Sequence, residues 1–354
     1  MTSDVSTLSL HLREIDFLIS DERVDEIVIN HPGSLIAETK EGWEHHDVPA
    51  LTSEWCSDLA RLVANFSSQE ISEEHPLLGA TMPDGSRIQV IEPPVSVDTS
   101  ITIRIPSRTT LTLEQIVTGG AFDECRGVES LLMTSEDRKR VEKHLPAEKL
   151  QLLKLFKAGQ WAEFLEMAVL EKMNIIFSGQ TGSGKTTAAN ALCAFIPPAE
   201  RIATVEDGAR EMKLPHVNQV NLLYSRDGKG LARVTPKQIF EACLRIRPDR
   251  VLPAELRGEE AYFFIQNVLN SGHPGVVTTV HASSSKLAFR RLANMIQSSP
   301  EGRGMGQDTI LEMLFSLLDI VVQTGKKPIG NNGGGKKVIT EIYFDPAYAL
   351  QQIG

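Results

Sequence analysis

From Ala147 onward, short apolar runs alternate with longer stretches whose apolar residues recur every three or four positions. Short runs bounded by turn signals read as buried strands, and the longer periodic stretches as amphipathic helices. The predicted order is helix 150–158, helix 161–171, strand 174–178, helix 186–195, strand 201–205 and strand 217–224. A helix then opens at Thr235, with Pro236 at its first position and Gln238 at the capping-box position, followed by strand 250–254. Helix 259–270, strand 275–280 and a helix capped by Ser283 or Ser284 and running to Gln297 complete the series. Strands alternating with helices in this way predict an α/β fold with a mostly parallel sheet. Residues 319–324 and 337–344 predict a terminal hairpin, and its loop, Gly330 through Gly335, reads as a floppy tip.

The first third is patterned differently. Asp25 through Asn30 and Ser34 through Glu38 read as short strands around the turn His31-Pro32-Gly33. Thr52 through Asn65 carries Trp55, Leu59, Leu62 and Val63 at helical spacing. Strand 87–91 follows the turn Pro83-Asp84-Gly85-Ser86, and 100–105 alternates Ile101, Ile103 and Ile105 with Thr102 and Arg104. The predicted plan is an amino-terminal α+β domain over 1–106, a linker over 107–146, and an α/β domain over 147–354. The linker holds the charge-dense run Ser135 through Arg140 and reads as extended and partly helical. Its length would let the first domain reach a neighbouring subunit.

A chain of 354 residues exceeds one ordinary core, which agrees with two domains. No run approaches the roughly 18 apolar residues of a membrane span, and the start does not resemble a signal peptide. A cytoplasmic protein is expected, with room for peripheral docking at an inner-membrane complex. The net charge of −10 argues against broad attraction to nucleic acid or anionic lipid. Cys56, Cys125, Cys193 and Cys243 stand apart with no C-x-x-C pair, so reduced thiols without metal are expected.

The chemistry begins after strand 174–178. Gly179-Gln180-Thr181-Gly182-Ser183-Gly184-Lys185-Thr186 fits G-x-x-x-x-G-K-[ST], with Thr187 opening the helix behind it. Glycines let successive N–H groups turn toward an anion, Lys185 adds a point charge near the β- and γ-phosphates, and Thr186 offers a hydroxyl to Mg²⁺. A plain glycine turn is the competing reading. Parallel strands bring their carboxyl ends to one edge of the sheet, where ligands bind. Strand 201–205 ends in Glu206-Asp207, 250–254 in Glu255 and 275–280 in His281, so these groups are expected around the phosphates.

Asp249 and Glu255 flank one strand and lie roughly 20 Å apart at about 3.3 Å per residue. Glu255 is therefore the candidate to polarise water or hold Mg²⁺, and Asp249 is structural. Glu206 is a metal-shell acid or a solvated loop acid, and His281 a γ-phosphate sensor or a satisfied core histidine. Pro253 cannot donate to a ladder, so pairing is expected to end at Leu252. His216, His273 and the pair His45-His46 are read as structural.

These segments resemble the secretion ATPase superfamily, and within it the traffic ATPase of bacterial type IV secretion systems. The resemblance rests on Gly179–Thr187, Arg201 through Asp207, Glu255-Leu256-Arg257, and Ser271 through Ala282. In the first domain it rests on Met82 through Gln89 and Ile101 through Pro106. It implies a RecA-like P-loop domain, a homo-hexamer with ATP between the two domains, and inner-membrane secretion components as partners. Arg87 and Arg104 then correspond to arginines that approach the nucleotide phosphates; surface ion pairing is their other reading. Arg257 is a further candidate. Ala254 and Pro253 depart from the usual pattern before the strand-end glutamate, and the linker exceeds what a minimal two-domain relative requires. The missing cysteine pairs favour the type IV branch over a type II or pilus-type motor. The expected activity is an ATP-hydrolysing secretion motor using ATP and Mg²⁺. A nucleotide-gated docking scaffold and a nucleic-acid translocase remain as alternatives.

Overall fold

In the first unit, alternation builds a sheet and one helix covers it. Ile101 and Ile103 are buried while Thr102 is half-buried and Arg104 exposed, as a strand with one covered face requires. The computed structural model describes residues 2–39, 41–106, 110–224, 234–329 and 335–353. Six strands, β1 (Val24–Ile29), β2 (Ser34–Thr39), β3 (Gly42–Asp47), β4 (Leu77–Thr81), β5 (Arg87–Ile91) and β6 (Ser100–Arg104), pair antiparallel in the order β3-β2-β1-β6-β5-β4. Helix Ser53–Ser67 starts at Thr52, whose hydroxyl accepts the Trp55 N–H at 3.1 Å. It buries Leu59 and Val63 against Ile27, Ile88, Val90 and Ile103.

The remaining strands are β7 (Arg126–Val128), β8 (Ile175–Ser178), β9 (Ile202–Asp207) and β10 (Gln219–Tyr224). They are followed by β11 (Arg250–Pro253), β12 (Val277–Val280), β13 (Ile320–Pro328) and β14 (Gly335–Phe344). One sheet runs β10-β9-β11, all parallel; the other runs β12-β8-β13-β14-β7, parallel except at the β13–β14 hairpin. Their ends are tied where Leu256 N–H donates to Thr279 O and Thr279 Oγ1 donates to Ala254 O, both at 2.9 Å. Strands β8, β11 and β12 are buried at every position, so their sequences lack the apolar–polar alternation of a strand with one exposed face.

The structure departs from expectation in several places. Pro253 stays in the strand, in register with Val205. Ala254 N–H bonds Val205 O, so by alternation the Pro253 nitrogen faces β12, where no ladder asks for a donor. The segment expected as an extended, partly helical linker contains helix Leu113–Thr118, and it also contributes strand β7 and buries Leu113 and Leu145 in the second core. Three residues are too few for a strand period to show in sequence. The charged run Ser135–Glu142 is a helix capped by Thr134, and its Arg138 turns inward to pair with the buried Asp345. Helix 259–270 divides into an α-helical turn, Glu260–Phe263, and a π-helix, Phe264–Leu269. The hairpin strands are longer than expected, and the glycine-rich tip from Gly330 to Gly334 lies outside the described residues.

Asp249 is structural: its carboxylate accepts the Arg201 N–H at 2.7 Å where β9 begins. The core behind β8 centres on Phe164, which is fully buried with ring centroids 5.6 Å from Phe156 and 5.2 Å from Phe344. Phe164→Ala is expected to destabilise the protein by about 3–5 kcal/mol through lost transfer energy and an unfilled cavity. Urea titration followed by tryptophan fluorescence reads that loss directly.

Candidate functional site

The phosphate loop is braced from the hairpin. Ser183 Oγ donates to Gln180 O at 2.6 Å and lies 2.8 Å from Thr324 Oγ1 on β13. A Cβ at Gly179 would lie 2.2 Å from that same Thr324 oxygen, so only glycine fits. Gly182 and Gly184 hold φ of 74° and 89°, the left-handed turn that aims backbone N–H groups outward ahead of helix Lys185–Cys193. Lys185 folds back over the loop, its Nζ donating to Gly179 O at 3.0 Å and Gln180 O at 2.9 Å. Burial is the chief cause that lowers its pKa to about 8; Arg104 and Arg257 push the same way, against Glu255.

The other strand ends converge on this lysine. His281, just past β12, places Nδ1 3.3 Å from Lys185 Nζ and 3.2 Å from Gly179 O. That nitrogen accepts from the lysine in one tautomer and donates to the carbonyl in the other. Burial lowers the His281 pKa against the pull of Glu255. Its Nε2 lies 3.0 Å from Glu255 Oε1 but off the angle a hydrogen bond needs, which leaves Oε1 buried without a donor. The other carboxylate oxygen, Oε2, accepts from Arg257 Nη2 at 2.7 Å. Burial pushes the Glu255 carboxyl up, but Arg257, His281 and Lys185 outweigh it and hold it below the usual value.

Glu206, read from sequence as a metal-shell acid or a solvated loop acid, has both carboxylate oxygens engaged by hydrogen bonds within its own unit. It is 1% exposed; Oε2 accepts the N–H groups of Glu211 and Met212 at 2.5 and 2.9 Å, and Oε1 accepts Thr204 Oγ1 at 3.1 Å. Its carboxylate braces the loop 207–212, and burial raises its pKa against those bonds. That loop meets the amino-terminal sheet. Arg87 Nη2 donates to Asp207 O at 2.9 Å, Arg87 Nη1 pairs with Glu211 at 2.8 Å, and Thr81 Oγ1 donates to Gly208 O at 2.9 Å. Two further pairs cross the same gap: Lys326 with Glu38 at 2.8 Å and Lys337 with Asp25 at 3.9 Å.

Between the sheet and the loop lies a cleft of about 260 Å³. Arg87 and Arg104 face Thr181, Gly182, Thr186 and Thr187 across it. Six basic side chains line it against four acidic ones, the reverse of the chain's overall balance, which suits a polyphosphate. Of the residues singled out from sequence, the structure brings Lys185, His281 and Glu255 into mutual contact and sets Arg87 and Arg104 across the cleft from the loop. Sequence reasoning missed Thr324, Glu211, Lys326 and Lys337, which come from the hairpin and a loop with no motif to mark them. His216 bonds Ile196 O at 2.9 Å, away from the cleft.

A family model described as Type II/IV secretion system protein matches residues 138–324. The chain is 40% identical over 345 residues to the Type IV secretion system protein VirB11 of Bartonella quintana, covering 97% of this chain and 94% of that one. Among solved structures it is similar to the VirB11 ATPase from the Brucella suis type IV secretion system in complex with sulphate. That pair is 36% identical with a TM-score of 0.53, covering 97% of this chain and 99% of the other. The pilus retraction motor PilT with bound ADP, at 18% identity and a TM-score of 0.56 over 97% of this chain and 87% of that one, shares the fold.

Lys185 titrates far below the ordinary lysine value of 10.5. The unfolded chain therefore holds more protons than the ligand-free fold between pH 8 and 10.5, and this group adds stability as pH rises through that window. A bound polyphosphate favours the ammonium, so binding above pH 8 takes up a proton and weakens as pH rises. Calorimetry of pyrophosphate binding at about pH 8.5, in two buffers of different ionisation enthalpy, is expected to show that uptake.

Proposed function

This chain belongs to the Type II/IV secretion system protein family, and on that footing we propose that it is the ATP-hydrolysing motor of a type IV secretion system. It is a secretion ATPase with a RecA-like P-loop fold and a smaller α+β unit. Residues 1–106 act as one body against 147–354, with 107–146 between them, and nucleotide binds in the cleft.

The loop N–H groups and Lys185 hold the β- and γ-phosphates. Lys185 exchanges its carbonyl partners for phosphate oxygens, which relieves a desolvated ammonium. Glu255 Oε1, buried without a donor, receives the attacking water and takes its proton as the γ-phosphorus bond to ADP breaks. Arg87 and Arg104, across the cleft, offset charge on the transferring group. His281, able to swap between lysine and carbonyl partners, responds to whether Lys185 is engaged by phosphate.

A hard cation fits the hydroxyl oxygen of Thr186 and the carboxylate of Glu255, and Mg²⁺ bound there would neutralise phosphate charge. Glu206, its oxygens given to backbone, acts as the brace of the loop that receives the amino-terminal sheet. The motor works as a homo-hexamer attached peripherally to inner-membrane secretion components, without stable nucleic-acid binding; the net charge of −10 supports the last point.

The observation that carries this reading is the contact series Lys185–His281–Glu255, drawn from three strand ends onto one loop. Lys185→Ala is expected to weaken ATP binding by about tenfold or more, since a charge-assisted hydrogen bond is worth about 1.5–3 kcal/mol. Glu255→Gln is expected to retain ATP but lower kcat by about 10²–10³. Fluorescent-nucleotide titration and phosphate release read the two separately, and a Glu255→Gln enzyme with full turnover would remove Glu255 from its role.

A further inference from the structure

Arg257 lies two residues beyond Glu255 and four beyond the end of β11, on backbone pinned by hydrogen bonds. The N–H groups of Arg257 and Gly258 both donate to Glu260 Oε1, at 2.7 and 2.9 Å, and Glu260 is itself buried. Leu256, 1% exposed, anchors the segment from the other side and donates its N–H to Thr279 O. From this base the guanidinium reaches back. Nη2 donates to Glu255 Oε2 at 2.7 Å, and Nη1 stands 3.5 Å from Asp207 Oδ2.

A carboxylate has two equivalent oxygens, and rotation about its last bond exchanges them. A planar fork that grips one oxygen removes that freedom. Here Oε2 is gripped, and Oε1 is the buried oxygen left without a donor. Asp207 carries the same frame toward the other unit, because its carbonyl accepts Arg87 Nη2 at 2.9 Å while Glu211 pairs with Arg87 Nη1 at 2.8 Å. An unbroken polar path thus runs from the amino-terminal sheet to the catalytic glutamate.

We propose that Arg257 is a positioning residue: it holds Glu255 by Oε2 so that Oε1 faces the attacking water, and through Asp207 it ties that setting to the seating of the amino-terminal sheet on the 207–211 loop. The proposal rests on the reading of Glu255 as the water-orienting group. It gives Arg257 a part distinct from phosphate contact. A lysine there places one point charge by Glu255 but cannot grip the oxygen and span to Asp207 together.

The test uses the full chain with Arg257→Gln, Arg257→Lys, Asp207→Asn, Glu255→Gln and the Arg257→Gln/Glu255→Gln double variant. ATP turnover, KM, fluorescent-nucleotide affinity and melting temperature are measured for each. Arg257→Gln is expected to lower kcat roughly 10–100-fold, the scale of a misplaced reacting group. Its KM and nucleotide affinity should stay within about threefold, because the loss falls on the transition state. Arg257→Lys should recover part of kcat, and the double variant should be no slower than Glu255→Gln alone, since one residue acts through the other. Full turnover in Arg257→Gln, independent multiplying effects in the double variant, or affinity and melting temperature falling together with kcat would each overturn the positioning role. Unchanged turnover in Asp207→Asn would overturn the link to the amino-terminal sheet. A fully active Glu255→Gln enzyme identifies the underlying reading as the failure, and it is read from that variant alone.

Discussion

A buried ammonium must find oxygen, and the site is largely the fold's answer to that demand. Lys185 is 7% exposed, and among the described residues its Nζ hydrogen-bonds two loop carbonyls and lies beside a histidine nitrogen. Carbonyl dipoles satisfy hydrogen bonds but do not cancel charge, so desolvation still depresses its pKa. Glu255 supplies the nearest carboxylate influence, and Arg104 and Arg257 oppose it. The balance leaves a lysine held in place yet short of counter-charge, which is the condition in which a phosphate gains most by arriving.

The contact between the two units follows a different logic. Arg87–Glu211, Lys326–Glu38 and Lys337–Asp25 are partly exposed ion pairs, each worth about 0–1 kcal/mol in water. Around the cleft the units are therefore clasped by contacts that part at small cost. A motor needs that property, because an apolar seam of the same extent would resist opening at every cycle.

The sequence made the sheet edge legible because apolar runs and their polar successors sit next to each other in the chain. Lys185 follows from the glycine-rich motif, and Glu255 and His281 from strand direction. Glu206 shows the limit of that reasoning. A strand end fixes which edge a residue reaches but leaves undetermined whether its oxygens face ligand or backbone, and here Glu211 and Met212 amides decide. Thr324 and Lys337 were invisible because the hairpin approaches the loop only in three dimensions. Strand β7 was invisible because three residues carry no period, and its pairing with β14 is set by tertiary contact. Pro253 was misjudged because its cost depends on which neighbour its missing donor would have faced.

That proline has a mechanical meaning. With no ladder along the β11–β12 line, the sheet is scored between the strip that bears Glu255 and the strip that bears Lys185 and His281. Among the described residues the line is spanned by the bonds near Thr279, the Arg250–Gly275 bond and the Glu255–His281 pair. Glu255 and the Lys185–His281 pair thus belong to separate sheets, and a slight shear between them changes the Glu255–Lys185 spacing without breaking a single strand pair.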